Sequence, residues 1–206
     1  PHPRHGPGTV TVFDQVWSNV YISGRFLDPE RTVADVEQDL RNQRITKLEK
    51  LAELDGVRYR NDFRISCPVN EAVEAGQDKD AEALDAEKIQ VSVAGRAYAV
   101  NSFGKAAFLR IRDRSGAIQI FVRKNDLSED DFARFKLTDI GDIIGIEGVL
   151  MRTKTGELSV RASTYRVLSK GLRPLPEKWH GLKDNELRQR MRYVDLIVNE
   201  GSRTAF

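Results

Sequence analysis

An aromatic ring, a side-chain amide and a carboxylate can together read a nucleobase, and this 206-residue chain offers such a set in Phe108, Gln119 and Glu157. The ring stacks on an unstacked base, while the amide and carboxylate meet the donors and acceptors of its Watson–Crick edge. Phe108 lies in the middle of one alternating stretch, 106–113, and Gln119 lies early in the next, 117–123. Between them, Asp113-Arg114-Ser115-Gly116 reads as a tight turn in which Gly116 takes a positive φ. That hairpin sets Phe108 and Gln119 on one face. Glu157, at the start of a later strand, is placed to accept a bond from a base N–H. Lys105, Arg110, Arg112 and Arg114 are candidates for phosphate contacts. The same residue types have an ordinary use: a barrel Phe packs into a core and a strand Gln faces water. Strand pattern leaves both open.

Other chemistry is sparse. His2 and His5 fall in a Gly/Pro-rich tail with no third or fourth ligand nearby, so no metal site is expected. There is no Gly-rich phosphate loop, Ser/His/Asp set or metal cluster, so no catalytic residues are expected either. Asp195 and Glu200 read as solvated carboxylates on a helix. The single Cys67 cannot form an internal disulfide, which fits a reducing, cytoplasmic setting. No run of about 18 apolar residues and no signal-peptide pattern is found. A net charge of +2 says little about partners, but residues 161–192 hold nine Lys/Arg against three acids. Such an excess suits either phosphates or a solvated surface.

The elements that would position these groups follow from periodicity. Residues 1–31 open with a turn-rich tail and two loosely alternating stretches, 9–12 and 16–26, and read as an atypical extension. With Pro1 in place of Met, the chain is expected to be a piece of a longer one. Within 32–87, residues 33–55 form a helix, capped by Thr32 with Asp35, carrying an apolar stripe of Val36, Leu40, Leu48, Leu51, Ala52 and Leu54, and ended by Gly56. Arg41, Arg44, Lys47 and Lys50 drift around its polar face. Residues 60–87 read as short helix and loop. From 88 to 170 the period changes to two, with strands at 90–101, 106–113, 117–123, 142–152 and 157–169 and a helix capped by Ser128 running to 136. Residues 91, 93, 95, 97 and 99 share one side. The order β-β-β-α-β-β is that of a five-stranded OB-fold, a barrel whose second and third strands bind oligonucleotides; another small barrel is the alternative on pattern alone. Residues 171–206 read as a linker and helix. The fold class is a β-barrel with helices.

The stretches Val93-Ala94-Gly95-Arg96, Ser102-Phe103-Gly104-Lys105-Ala106-Ala107-Phe108 and Arg112-Asp113-Arg114-Ser115-Gly116-Ala117-Ile118-Gln119 resemble the anticodon-binding barrel of class II lysyl-tRNA synthetases. So do Ile140-Gly141-Asp142-Ile143 and Arg152-Thr153-Lys154-Thr155-Gly156-Glu157-Leu158-Ser159. Leu172-Arg173-Pro174-Leu175-Pro176-Glu177-Lys178-Trp179-His180-Gly181-Leu182 resembles that family's linker to its catalytic domain, and residues 188–197 its following helix, which implies that 171–206 are the linker and the start of a truncated catalytic domain. The resemblance covers about 33–206. It implies that Phe108 stacks on the central uridine of a tRNA-Lys anticodon and that Gln119 and Glu157 read its edge. Arg96, Lys105, Arg110 and Asn101 complete the expected anticodon-binding set. The family tends to carry an Arg where Asn101 stands, seven residues before the Phe; Asn keeps hydrogen bonding but loses a cation and bidentate reach.

The resemblance further implies a longer parent that uses ATP and Mg²⁺ to join lysine to tRNA, a homodimer, with no membrane or DNA partner. The chain ends before that family's first catalytic motif, so it is expected to bind tRNA and catalyse nothing, with no cofactor of its own. The alternative is a stand-alone RNA-binding module without ligase activity. A related aspartate or asparagine enzyme is disfavoured by the T-K-T-G-E-L-S and H-G-L runs.

Overall fold

The computed structural model describes residues 32–175, 182 and 185–205. The stretches expected as strands at 9–12 and 16–26, together with His2, His5, Lys178, Lys183 and most of the linker motif, lie outside the described residues. Two compact units result, one of Asn42–Pro174 and one that takes the residues up to Arg41 and from Leu175 on.

Helix α1 spans Val33–Asp55. Thr32 and Asp35 form the reciprocal cap that their spacing predicts: the Asp35 N–H donates to Thr32 Oγ1 at 3.3 Å, and the Thr32 N–H donates to Asp35 Oδ2 at 2.9 Å. Gly56 stops the helix with φ +71°, a conformation that strains a residue carrying Cβ. Of the apolar stripe, Leu48 and Leu51 are buried and Leu54 is exposed. Two short helices follow, α2 at Val69–Gly76 and α3 at Ala81–Glu87.

Five strands then close into a barrel: β1 Gln90–Phe103, β2 Ala106–Arg112, β3 Ala117–Arg123, β4 Ile143–Arg152 and β5 Leu158–Ser169, in the order β1-β2-β3-β5-β4. All neighbours are antiparallel except β3 and β5, which run parallel. Helix α4, Glu129–Lys136, sits between β3 and β4 in sequence, with Ser128 Oγ accepting from the Asp131 N–H as expected. The first half of β1 pairs with β4 and the second half with β2. Period-two alternation sends Val93, Ala97, Leu109, Ile111, Ile120, Val122, Ile144, Ile146 and Val160 into the barrel, all fully buried. Tyr165 joins them. Burial pushes its phenol pKa far up, and its hydroxyl lies 2.8 Å from that of Thr138. Gly148 permits a close approach, since a Cβ there would lie 2.1 Å from the Arg161 carbonyl oxygen. Phe63 lies on Gly145, where a Cβ would come within 2.8 Å of its ring.

The turn between β2 and β3 differs from its expected form. Gly116 does not take a positive φ; among the described residues the positive-φ glycines are Gly56, Gly104, Gly141 and Gly156. Asp113 shapes the turn instead, its Oδ1 accepting from the Ser115 and Gly116 N–H groups at 2.7 and 2.9 Å. Its Oδ2 accepts the Val69 N–H at 3.0 Å, and Ser115 Oγ accepts the Asn70 N–H at 3.0 Å. The hairpin thereby caps the first turn of α2 from a distant part of the chain. At the other end, the Arg152 guanidinium donates to carbonyls of Gly76, Gln77 and Lys79 as α2 gives out.

Many cations of the basic 161–192 stretch and of α1 are used internally. Lys170 is buried and donates to Asp142 Oδ2 at 2.7 Å and to the Leu137 carbonyl at 2.7 Å; Asp139 completes the cluster and also binds Lys47. Arg44 donates to the Gly171 and Arg173 carbonyls. Arg166 and Arg134 share Asp131, and Arg134 also binds Asp55 at 2.7 Å. Among the described residues, no buried side-chain nitrogen or oxygen lacks a partner.

In the second unit, three short helices, α5 Asn185–Arg190, α6 Arg192–Val198 and α7 Glu200–Ala205, stand where one helix was expected. Asp195 is buried rather than solvated. Asn199 Nδ2 donates to it at 2.6 Å and Arg188 Nε at 2.8 Å, and these bonds, with Ser202 nearby, hold its pKa down at about 2.

Burial works upward on the Asp113 pKa, but the Val69, Ser115 and Gly116 donors outweigh it and hold the carboxyl below its usual value. Asp113→Ala is expected to lower stability by about 1–2 kcal/mol at neutral pH, as loss of a helix cap does. Because the folded pKa lies below the unfolded one, this stabilisation is present above about pH 4 and is lost as pH falls through the folded value. Thermal melts of parent and variant should therefore converge on acidification; a gap that stays constant to low pH contradicts the capping role.

Candidate nucleic-acid interface

The barrel's outer wall over β1, β2 and β3 carries the expected set. On β2, Ala107, Leu109 and Ile111 point inward, so Phe108, Arg110 and Arg112 point outward. On β3, Ile118, Ile120 and Val122 point inward, so Gln119 and Phe121 point outward. Register then aligns two rows. One runs Asn101, Phe108, Phe121, Arg161 across β1, β2, β3 and β5. The next runs Arg110, Gln119, Ser159.

Asn101 reaches this wall through a bulge. Two steps along β1, from Ala97 to Ala99, oppose one step along β2, from Ile111 to Arg110. The extra residue reverses the alternation, so odd-numbered positions that face inward up to Ala97 face outward at Asn101 and Phe103. Phe108 is therefore a half-buried surface ring, with the Phe121 centroid at 5.1 Å and the Phe103 centroid at 6.3 Å.

Around the rings lie groups that can read an edge. Gln119 Nε2 donates to Ser159 Oγ at 3.0 Å, which orients the amide and leaves its carbonyl oxygen as an acceptor. Glu157 is delivered by the β4–β5 turn, where Gly156 takes φ +83° and the Glu157 N–H donates to Thr153 Oγ1 at 3.1 Å. Its carboxylate pairs with Arg110, and both side chains are partly open to water. An exposed pair of this kind contributes little, about 0–1 kcal/mol, so Glu157 can exchange part of it for a base N–H. Arg110 thus acts on the site by aiming Glu157.

Not every expected residue converges here. Arg96 donates to the Gly141 carbonyl at 2.7 Å, which draws its guanidinium toward the loop before β4. Arg112 lies over the Tyr98 ring, 5.0 Å from its centroid. Lys105 sits exposed at the β1–β2 turn, beside the ring cluster. Two members escaped the sequence reading. Phe121 was legible in principle, since the inward Ile118, Ile120 and Val122 leave it on the face of Gln119. Arg161 was counted only within the basic 161–192 stretch, because its place at the end of the Phe108 row depends on the parallel β3–β5 pairing. It is exposed and makes no ion pair among the described residues.

A closed five-stranded barrel is the architecture of an OB-fold, and residues 91–168 match the OB-fold nucleic acid binding domain. The particular relatives are lysine–tRNA ligases, to which the chain is homologous. It is 48% identical over 170 residues to the lysine–tRNA ligase of Anaeromyxobacter sp. strain K, covering 82% of this chain and 33% of that protein. It is 49% identical over 170 residues to that of Thioalkalivibrio sulfidiphilus (82% and 34%) and 45% identical over 176 residues to that of Laribacter hongkongensis (84% and 34%). The chain therefore spans about a third of the length of these relatives. The family resemblance read from the motif runs is borne out.

Because Phe108 lies on the outer wall, Phe108→Ala should cost about 1–2 kcal/mol of stability through its lost ring contacts, whereas Ile120→Ala in the barrel interior should cost about 2–5 kcal/mol. Chemical denaturation of the two variants checks the placement; equal losses would put Phe108 in the core.

Proposed function

We propose that this chain is the anticodon-reading part of a lysine–tRNA ligase. The observation that carries the reading is the half-buried Phe108 on the outer wall of an OB-fold whose relatives are lysine–tRNA ligases, with Gln119 and the Arg110-paired Glu157 at the neighbouring row. Phe108 stacks on the central uridine. Uracil presents two carbonyl acceptors flanking one N–H, so a carboxylate and an oriented amide can read it together. Glu157 takes the N–H, and the second amide N–H of Gln119 donates to a neighbouring carbonyl. Lys105 and Arg161 meet phosphates, and Asn101 hydrogen-bonds at the far end of the row. Arg96 supports the barrel around the site.

The longer enzyme is a class II ligase that activates lysine with ATP and Mg²⁺, works as a homodimer in the cytoplasm, and relies on this part for recognition alone; the chain by itself is inactive. Among the described residues no helix is long and apolar enough to cross a membrane.

Binding of tRNA-Lys anticodon stem–loops to the chain tests the proposal. Changing the central anticodon base should weaken binding, and Phe108→Ala should cost about 1–3 kcal/mol of affinity by losing one stacked base. Lys105→Ala should weaken binding to all sequences and reduce the slope of log K against log salt by about one. Indifference to the central base rejects anticodon reading, and equal binding of unrelated single strands points instead to a general RNA-binding module, a reading that Asn101, lacking the cation of an Arg, favours.

A further inference from the structure

We infer that Phe103 is a second base-stacking position, which takes the nucleotide adjacent to the one held on Phe108. The inference rests on the RNA-binding reading proposed above and goes beyond it in naming a residue and a second nucleotide. Phe103 is 65% exposed, the largest value for any large apolar side chain among the described residues. It has no part in the barrel interior, because the bulge at Ala97–Ala99 turns it to the outer wall. Register gives it small or engaged neighbours: Ala106 across β2, and beyond that Arg123, which pairs with Asp126. Nothing bulky in its own row covers the ring.

The geometry suits a single strand. The Phe103 and Phe108 rings meet edge to face, their centroids 6.3 Å apart and their planes at 68°. Two bases stacked on these rings would be splayed by a similar angle, which an unpaired loop tolerates and a stacked duplex does not. The β1–β2 turn supplies charge at the same place. Gly104, at φ +61°, allows the tight reversal after Phe103, and Lys105 follows with its carbonyl accepting the Lys124 N–H at 2.9 Å. Lys105 and Lys124 are both exposed, so two cations stand where the phosphate linking the two bases would pass. A water-facing apolar ring that continues a polar, cationic RNA wall has a defined occupant, the neighbouring base of the same loop.

The test uses the chain as it stands and tRNA-Lys anticodon stem–loops that are intact or abasic at one loop position. Phe103→Ala should weaken binding of the intact loop by about 5- to 100-fold, with a cooperative melt lowered no more than that of Phe108→Ala, since only its edge-to-face contact with Phe108 is lost. That loss should vanish with the loop abasic at one position beside the central base. Phe103→Trp should bind at least as well as the parent, and Phe103→Leu, which keeps apolar bulk without a ring, should behave like the Ala variant. Full recovery by Leu would show a mere apolar cover for Phe108 and overturn stacking. If Phe103→Ala binds like the parent while Phe108→Ala is weakened, the second position is rejected and the anticodon reading stands. If neither substitution matters, the anticodon reading itself falls, and this inference with it.

Discussion

Closure of the sheet on itself is the constraint from which the rest follows. Once β1 pairs with β4 at one end and β2 at the other, and β3 meets β5 in parallel, each strand has one wall sealed in a narrow interior and one wall facing out. Side chains alternate strictly, so filling the inside with Ile, Val, Leu and Ala commits the intervening residues to the outside. A surface Phe beside Arg and Gln is then a consequence of core packing two atoms' breadth away. Register shifts interrupt the β4–β5 pairing twice and the β1–β2 pairing once, and the one in β1 changes what the wall can do. By adding one residue it brings Asn101 into line with Phe108 and turns Phe103 outward, so the aromatic cluster and the barrel's interior are set by the same backbone irregularity.

Charge is sorted by the same geometry. Lys170, Arg134 and Arg166 are held by Asp142, Asp139, Asp131 and Asp55, where they tie α1, α4 and the end of β5 to the barrel. Removing one partner of such a cluster leaves a buried charge uncompensated, which is why these cations are poorly suited to a ligand that comes and goes. The cations left exposed near the rings, Lys105, Lys124 and Arg161, border the aromatic row instead. Of these, Arg161 belongs to the basic stretch that composition singles out, whereas Lys105 and Lys124 lie outside it.

The candidate site combines a rigid floor with adjustable readers. Phe108 rests on Phe121 and is fixed by the strand pairing, while Gln119 and Glu157 are aimed by single contacts with Ser159 and Arg110 that are partly open to water. Exposed pairs of this kind contribute little, so these polar groups can exchange partners at small cost.

Much of this was legible in the residues. Thr32 with Asp35, Gly56 and Ser128 mark helix ends because short-range hydrogen bonding and φ preference act within a few residues. Five alternating stretches mark five strands because burial of one face imposes period two. Phe108, Gln119 and Glu157 follow from that alternation and from motif resemblance. The sequence did not disclose which cations were available, since Lys170 and Arg166 find acids 28 to 35 residues away, nor that Asp113 would cap α2 from 44 residues away. Asp195, read as solvated, is buried for the same reason. Local order was thus determined by the chain's own neighbours, whereas the company kept by Asn101, Phe103 and Arg161 was decided by tertiary structure alone, because register between strands depends on a bulge and a parallel pairing that no local pattern encodes.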